Sequence, residues 1–210
     1  MVGTYGTSRC VAVFFAALPS HIHFRFDRDN LFEFMLTCCQ SVTLGGYPAP
    51  TREDIDWLGH RPDVTGRIQH LYIHHSIWTH YSPFIHNARN LQHLTVTENG
   101  IELGFALALT ELPYLCWLHI DACGIRTDFH EFMRKTNPGN IPAAPALRHV
   151  RLTMPYNAMY SVDFESWGIL MICGPSLQSL DFGARRFVPP ERDDWGHYAR
   201  PMRALQHLEF

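Results

Sequence analysis

The chain has 210 residues, 46% of them hydrophobic, enough for one domain with a sizeable core and too apolar for wholesale disorder. Seventeen basic residues against 20 acidic ones leave a formal net charge of -3 with no long like-charge block, which argues against nucleic acid and anionic membrane as partners. Six cysteines (Cys10, Cys38, Cys39, Cys116, Cys123 and Cys173) form no C-x-x-C pair and are too sparse for a secreted disulfide scaffold, so reduced thiols in a cytoplasmic or nuclear protein are expected.

From the N-terminus, the first feature is an apolar run from Cys10 to Leu18 behind Arg9. It falls well short of the ~20 residues that span a bilayer. Two readings stay open: a short signal-peptide core or a buried N-terminal strand or helix.

Beyond residue 36 one pattern returns, apolar-x-x-apolar-x-apolar. It appears as Ile68-Gln69-His70-Leu71-Tyr72-Ile73, Leu91-Gln92-His93-Leu94-Thr95-Val96 and Leu205-Gln206-His207-Leu208-Glu209-Phe210. Windows starting at Leu115, Leu147 and Leu177 fit the same template, and one starting at Cys39 fits more loosely. The seven starting positions, 39, 68, 91, 115, 147, 177 and 205, are separated by 29, 23, 24, 32, 30 and 28 residues.

Between these windows the sequence supplies helix signals. Thr51-Arg52-Glu53-Asp54 has the form of a capping box opening a turn through Trp57, and Thr127-Asp128 could cap Phe129 to Lys135. Glu102 to Glu111 places Leu103, Ala106, Leu107 and Thr110 at helical spacing, and Ser161 to Cys173 stops at Gly174-Pro175. Strands alternating with helices imply a parallel sheet. Pro138 to Pro145 and the stretch after Pro189-Pro190 read as irregular connections within one domain.

The windows from Leu91 and Leu115 extend to L-x-x-L-x-L-x-x-N/C-x-L, completed by Asn99 and Ile101 and by Cys123 and Ile125. On these residues the chain resembles the leucine-rich-repeat family, and its uneven spacing is similar to the repeat regions of fungal F-box proteins. Ser76, Pro155 and Arg185 depart from the family's Asn or Cys. The resemblance implies an α/β fold, a leucine-rich-repeat-like solenoid or horseshoe segment, with a parallel β-sheet on the concave side and irregular helices on the convex side. Residues 36 to 210 would make about seven degenerate repeats. Residues 1 to 35 would be an N-terminal segment, a remnant of or replacement for an F-box, whose Leu-Pro opening Leu18-Pro19-Ser20-His21-Ile22 faintly resembles.

Side chains alternate across a pleated strand, so each window also names the residues it turns away from the core. One expected column is Ser41, His70, His93, Trp117, His149, Ser179 and His207. A second is Thr43, Tyr72, Thr95, His119, Arg151, Asp181 and Glu209, and a third begins Gly45, His74, Thr97, Asp121, Thr153 and Gly183. Column neighbours would lie about 4.8 Å apart. The expected partner-binding residues are Tyr72, His70, His93, Thr95, Trp117, His119, His149, Arg151 and Asp181, with Trp117, Tyr72 and Arg151 of the types that dominate protein hot spots. A solvated strand face without a specific role is the plainer alternative.

No phosphate-loop, dinucleotide, nucleophile-elbow or H-E-x-x-H motif occurs. His21 with His23, His74 with His75, and His70 with His93 lack metal-motif spacing with a supporting carboxylate or thiolate, so neither a metal nor a cofactor is expected. A histidine column would, however, make partner binding respond to pH. The expected function is a non-catalytic scaffold binding a partner protein on the concave face. The alternative implied by the resemblance is a truncated substrate-recognition subunit of a ubiquitin ligase, which would bind the ligase adaptor if an F-box is present. The last window ends on Phe210 without a polar cap, from which a partner, a dimer or a shortened gene product is expected.

Overall fold

A computed structural model of the chain describes residues 21–24, 40–44, 52–74, 82–97, 103–121, 135–136, 140, 142–153, 172–183 and 204–209. The described residues hold eight strands: β1 (His21–Phe24), β2 (Ser41–Leu44), β3 (His70–His74), β4 (His93–Thr97), β5 (Trp117–Asp121), β6 (His149–Thr153), β7 (Ser179–Phe182) and β8 (His207–Glu209). They form one all-parallel sheet in which spatial order equals chain order, β1 to β8. From β2 to β8 every pair sits in the register expected from the windows: Ser41 opposite His70, then His93, Trp117, His149, Ser179 and His207. The chain is therefore an α/β protein built on a parallel sheet.

A repeated backbone device holds this register. From β2 to β7, the carbonyl just before each strand accepts two N–H groups at the start of the next one. Gln40 serves Gln69 and His70, Gln69 serves Gln92 and His93, and Gln92 serves Cys116 and Trp117. Cys116, Arg148 and Gln178 continue the series to the N–H groups of His149, Ser179 and His207. Slipping one strand by a residue would break this pair of bonds and also turn its apolar set outward.

The helices are α1 (Arg52–Gly59), α2 (Pro62–Thr65), α3 (Ser82–Asn87) and α4 (Leu103–Thr110). The first and last meet the sequence expectation, although Thr51, the proposed cap of α1, lies outside the described residues. The short helices α2 and α3 carry no periodic signal. Pro62 opens α2, where its missing N–H costs no bond. The α4 stretch Leu-Gly-Phe-Ala-Leu-Ala-Leu-Thr is apolar nearly all round, and Phe105, Ala106, Ala108 and Leu109 are all buried. Leu58, Val64, Phe84, Ile85, Phe105 and Leu109 join the inward strand residues Leu71, Leu94, Leu118, Val150 and Leu180 in one apolar cluster, so the helices cover one face of the sheet.

Four findings differ from the sequence expectation. β1 extends the sheet by a strand outside the seven windows. Ser41 and Thr43, expected on the open face, are buried with the rest of β2. Leu208, expected inside, is 46% exposed, because β8 has β7 as its only described sheet neighbour. Further, Cys173, placed in the last turn of a helix, instead makes an isolated parallel bridge to Ala144, whose N–H donates to the Ile172 carbonyl. The expected helix from Phe129, Asn99, Cys123, Ser76, Pro155, Arg185 and the Cys10–Leu18 run lie outside the described residues.

Candidate functional site

Burial alternates along β4 to β7, so one residue in two faces away from the helices. Because the register is shared, those residues fall into the expected columns. All nine candidate residues lie together on this polar face, none of them buried.

The first column is a ladder of flat rings. His70 and His93 stack with ring centroids 4.5 Å apart and planes 12° from parallel. Trp117 continues the stack 6.5 Å from His93, and His149 follows 5.3 Å from Trp117. A parallel sheet spaces like positions about 4.8 Å apart, close to the thickness of two rings in contact, so each strand adds a rung. The rings turn their faces to each other, which leaves edges for anything approaching the sheet. Trp117 stands out most, at 38% exposed.

The second column runs Tyr72, Thr95, His119, Arg151, Asp181. Arg151 Nε lies 3.1 Å from Asp181 Oδ2, an ion pair between adjacent strands. Position 153 of the third column ties into it: His119 Nε2 and Thr153 Oγ1 are hydrogen-bonded at 3.0 Å. The next strand leaves room for that threonine only because residue 183 is glycine, where a Cβ would fall 2.6 Å from Thr153 Cγ2. The His119 to Thr153 bond was not legible in the windows; the pairing of two polar columns across β5 and β6 was its only trace.

The electrostatics favour the uncharged form of His93 and of His119. Partial burial lowers the His93 pKa, and the neighbouring His70 and His149 lower it further. His119 is lowered by burial and by Arg151, against a weaker opposing pull from Asp121 and Asp181. Elsewhere, complete burial pushes the Cys173 thiol up to about 12, which keeps it protonated and unreactive.

The lone pairs of an imidazole lie in the ring plane, so near-parallel rings aim them side by side rather than at a common point. That geometry is poor for a tetrahedral metal, and among the described residues no group of three or more His, Cys, Asp or Glu is placed to hold one. Nor is any helix among the described residues long and apolar enough to cross a membrane.

On the helical side, Trp57 and Tyr114 are 40% and 58% exposed. The Arg61 guanidinium lies 5.4 Å from the Trp57 ring centre while pairing with Asp63, which holds that carboxyl below its usual range.

No protein-family model matches the chain, and no curated protein matches it.

Proposed function

We propose that the chain is a leucine-rich-repeat-like solenoid acting as a non-catalytic interaction scaffold, with the polar face of β3 to β7 as its partner-binding surface. Support for the architecture is the strand-by-strand parallel order and the carbonyl series that repeats from Gln40 to Gln178. The single observation that carries the function is the ladder His70, His93, Trp117, His149, a continuous row of large amphipathic rings facing away from the core. Rigid rings held by their neighbours lose little freedom on binding, which is what makes such groups effective anchors. The polar groups are strung in rows along the sheet instead of converging on one point, a layout suited to contact with a macromolecule.

The scaffold reading ranks above the ubiquitin-ligase receptor because His21 and Ile22, the end of the Leu-Pro stretch that resembles an F-box opening, belong to strand β1. Affinity capture tests the proposal. A reproducible protein partner should bind about thirtyfold or more weakly to Trp117→Ala, the loss typical of a hot-spot anchor. Undiminished capture by that variant, with its fold intact by circular dichroism, would refute the surface.

A further inference from the structure

The outward positions of β3 and β4 (70, 72, 93, 95 and 97) read His, Tyr, His, Thr and Thr, with no carboxylate among them. Among the described residues, the carboxylates and the guanidinium of the face lie outside the first column. Asp121 lies at the far end of β5, Arg151 and Asp181 are paired across β6 and β7, and Glu209 on β8 contacts His207 within the same strand. On the β2 side the columns pass through Ser41 and Thr43, which carry no charge, to the register positions of His21 and His23 on β1. The first column itself, His70, His93, Trp117 and His149, thus carries no charge when its imidazoles are neutral, and protonation of an imidazole makes it positive. Each ring of the ladder has a ring N–H able to donate.

From this arrangement we infer that the His70–His149 ladder receives an acidic, extended protein segment, whose carboxylates accept hydrogen bonds from the ring edges on either side of Trp117. The inference rests on the proposed interaction face and adds the chemistry of its occupant. Three strand spacings make the ladder about 14 Å long, the reach of four or five extended residues. Alternate residues of such a segment put carboxylates on one side about 7 Å apart. A carboxylate at the ring edge stabilises the imidazolium form, so binding takes up a proton. His70 and His93, 4.5 Å apart, repel each other when both are charged, which favours one proton on that pair.

The test uses the full chain with a fluorescein-labelled octa-aspartate probe, its octa-asparagine counterpart as control, and anisotropy at constant ionic strength. Aspartate stays ionised at pH 5.5, and one proton taken up on binding gives up to about a tenfold gain per pH unit. Octa-aspartate should bind about tenfold tighter at pH 5.5 than at pH 7.5, octa-asparagine should show no such gain, and the double variant His70→Gln with His93→Gln should lose it. In the unmodified chain, ring-proton NMR should show the His93 titration moving to higher pH when the probe is bound, a readout that does not depend on the variant folding. Equal octa-aspartate affinity at the two pH values overturns the inference. So does tighter binding of octa-lysine, or of a single-stranded deoxythymidine oligomer with the same charge as octa-aspartate. Loss of the captured partner by Trp117→Ala alongside an inert octa-aspartate would sink the acidic occupant and leave the interaction face standing. The reverse result would sink the face and leave an acid-binding ladder.

Discussion

Strands β4 and β8 grow from nearly the same words, Leu91-Gln92-His93-Leu94-Thr95-Val96 and Leu205-Gln206-His207-Leu208-Glu209-Phe210, yet they end in different surroundings. Leu94 is fully buried, whereas Leu208 is 46% exposed. His93 stacks between His70 and Trp117, whereas His207 is exposed and contacts Glu209 of its own strand. β4 also arrives through a pinned turn: Asn87 Nδ2 donates to the Gly59 carbonyl at 2.6 Å, and Asn90 Nδ2 donates to the Gly66 carbonyl. A window of this kind specifies a strand and its register. What the strand contributes to stability or recognition depends on whether another repeat lies on both sides of it.

The sharpest way to break that comparison is to truncate the same leucine in each strand. Leu94→Ala should cost about 3 kcal/mol in urea unfolding, through lost burial and a residual cavity. Leu208→Ala should cost about 0.5 kcal/mol or less, as an exposed position does. Equal losses would mean that β8 is as enclosed as β4. Next in size is Asn87→Ala, which withdraws the donor from the buried Gly59 carbonyl and should cost about 1 to 2 kcal/mol by the same measurement.

A smaller effect should come from the Arg151–Asp181 pair on the strands between those two. Its side chains are 49% and 23% exposed, and a double-mutant cycle should return a coupling of about 0.5 kcal/mol that shrinks in high salt. Smallest is the response to pH of the inner histidines. Their folded pKa values lie below the unfolded value near 6.5, so the unfolded chain binds protons first as pH falls. The stability they contribute is fully present above about pH 6.5 and is lost as pH drops toward the lower folded values. The urea midpoint should therefore fall between pH 7.5 and 5.5, and His93→Gln should reduce that fall. An unchanged slope in the variant would show that His93 is as free to protonate as in the unfolded chain.

The seven windows in the sequence determine the strands β2 to β8, their register and the columns of the polar face, because a period-two pattern flips its faces if it slips by one residue. Strand β1 does not fit the window for a local reason. Ile22 and Phe24 pair in register with Val42 and Leu44, but the window's first apolar position is filled by Pro19. Helices α2 and α3, of four and six residues, are too short to show a period.

Only the tertiary structure decided the rest: that β2 is buried on both sides, that β8 is not, that three rings stack and a fourth tilts against them in one ladder, and that His119 meets Thr153 on the next strand. Those outcomes depend on what lies next to each strand in space. A residue's letter sets which way it points in the pleat, while burial, stacking and proton affinity are set by neighbours contributed from 20 or more residues away.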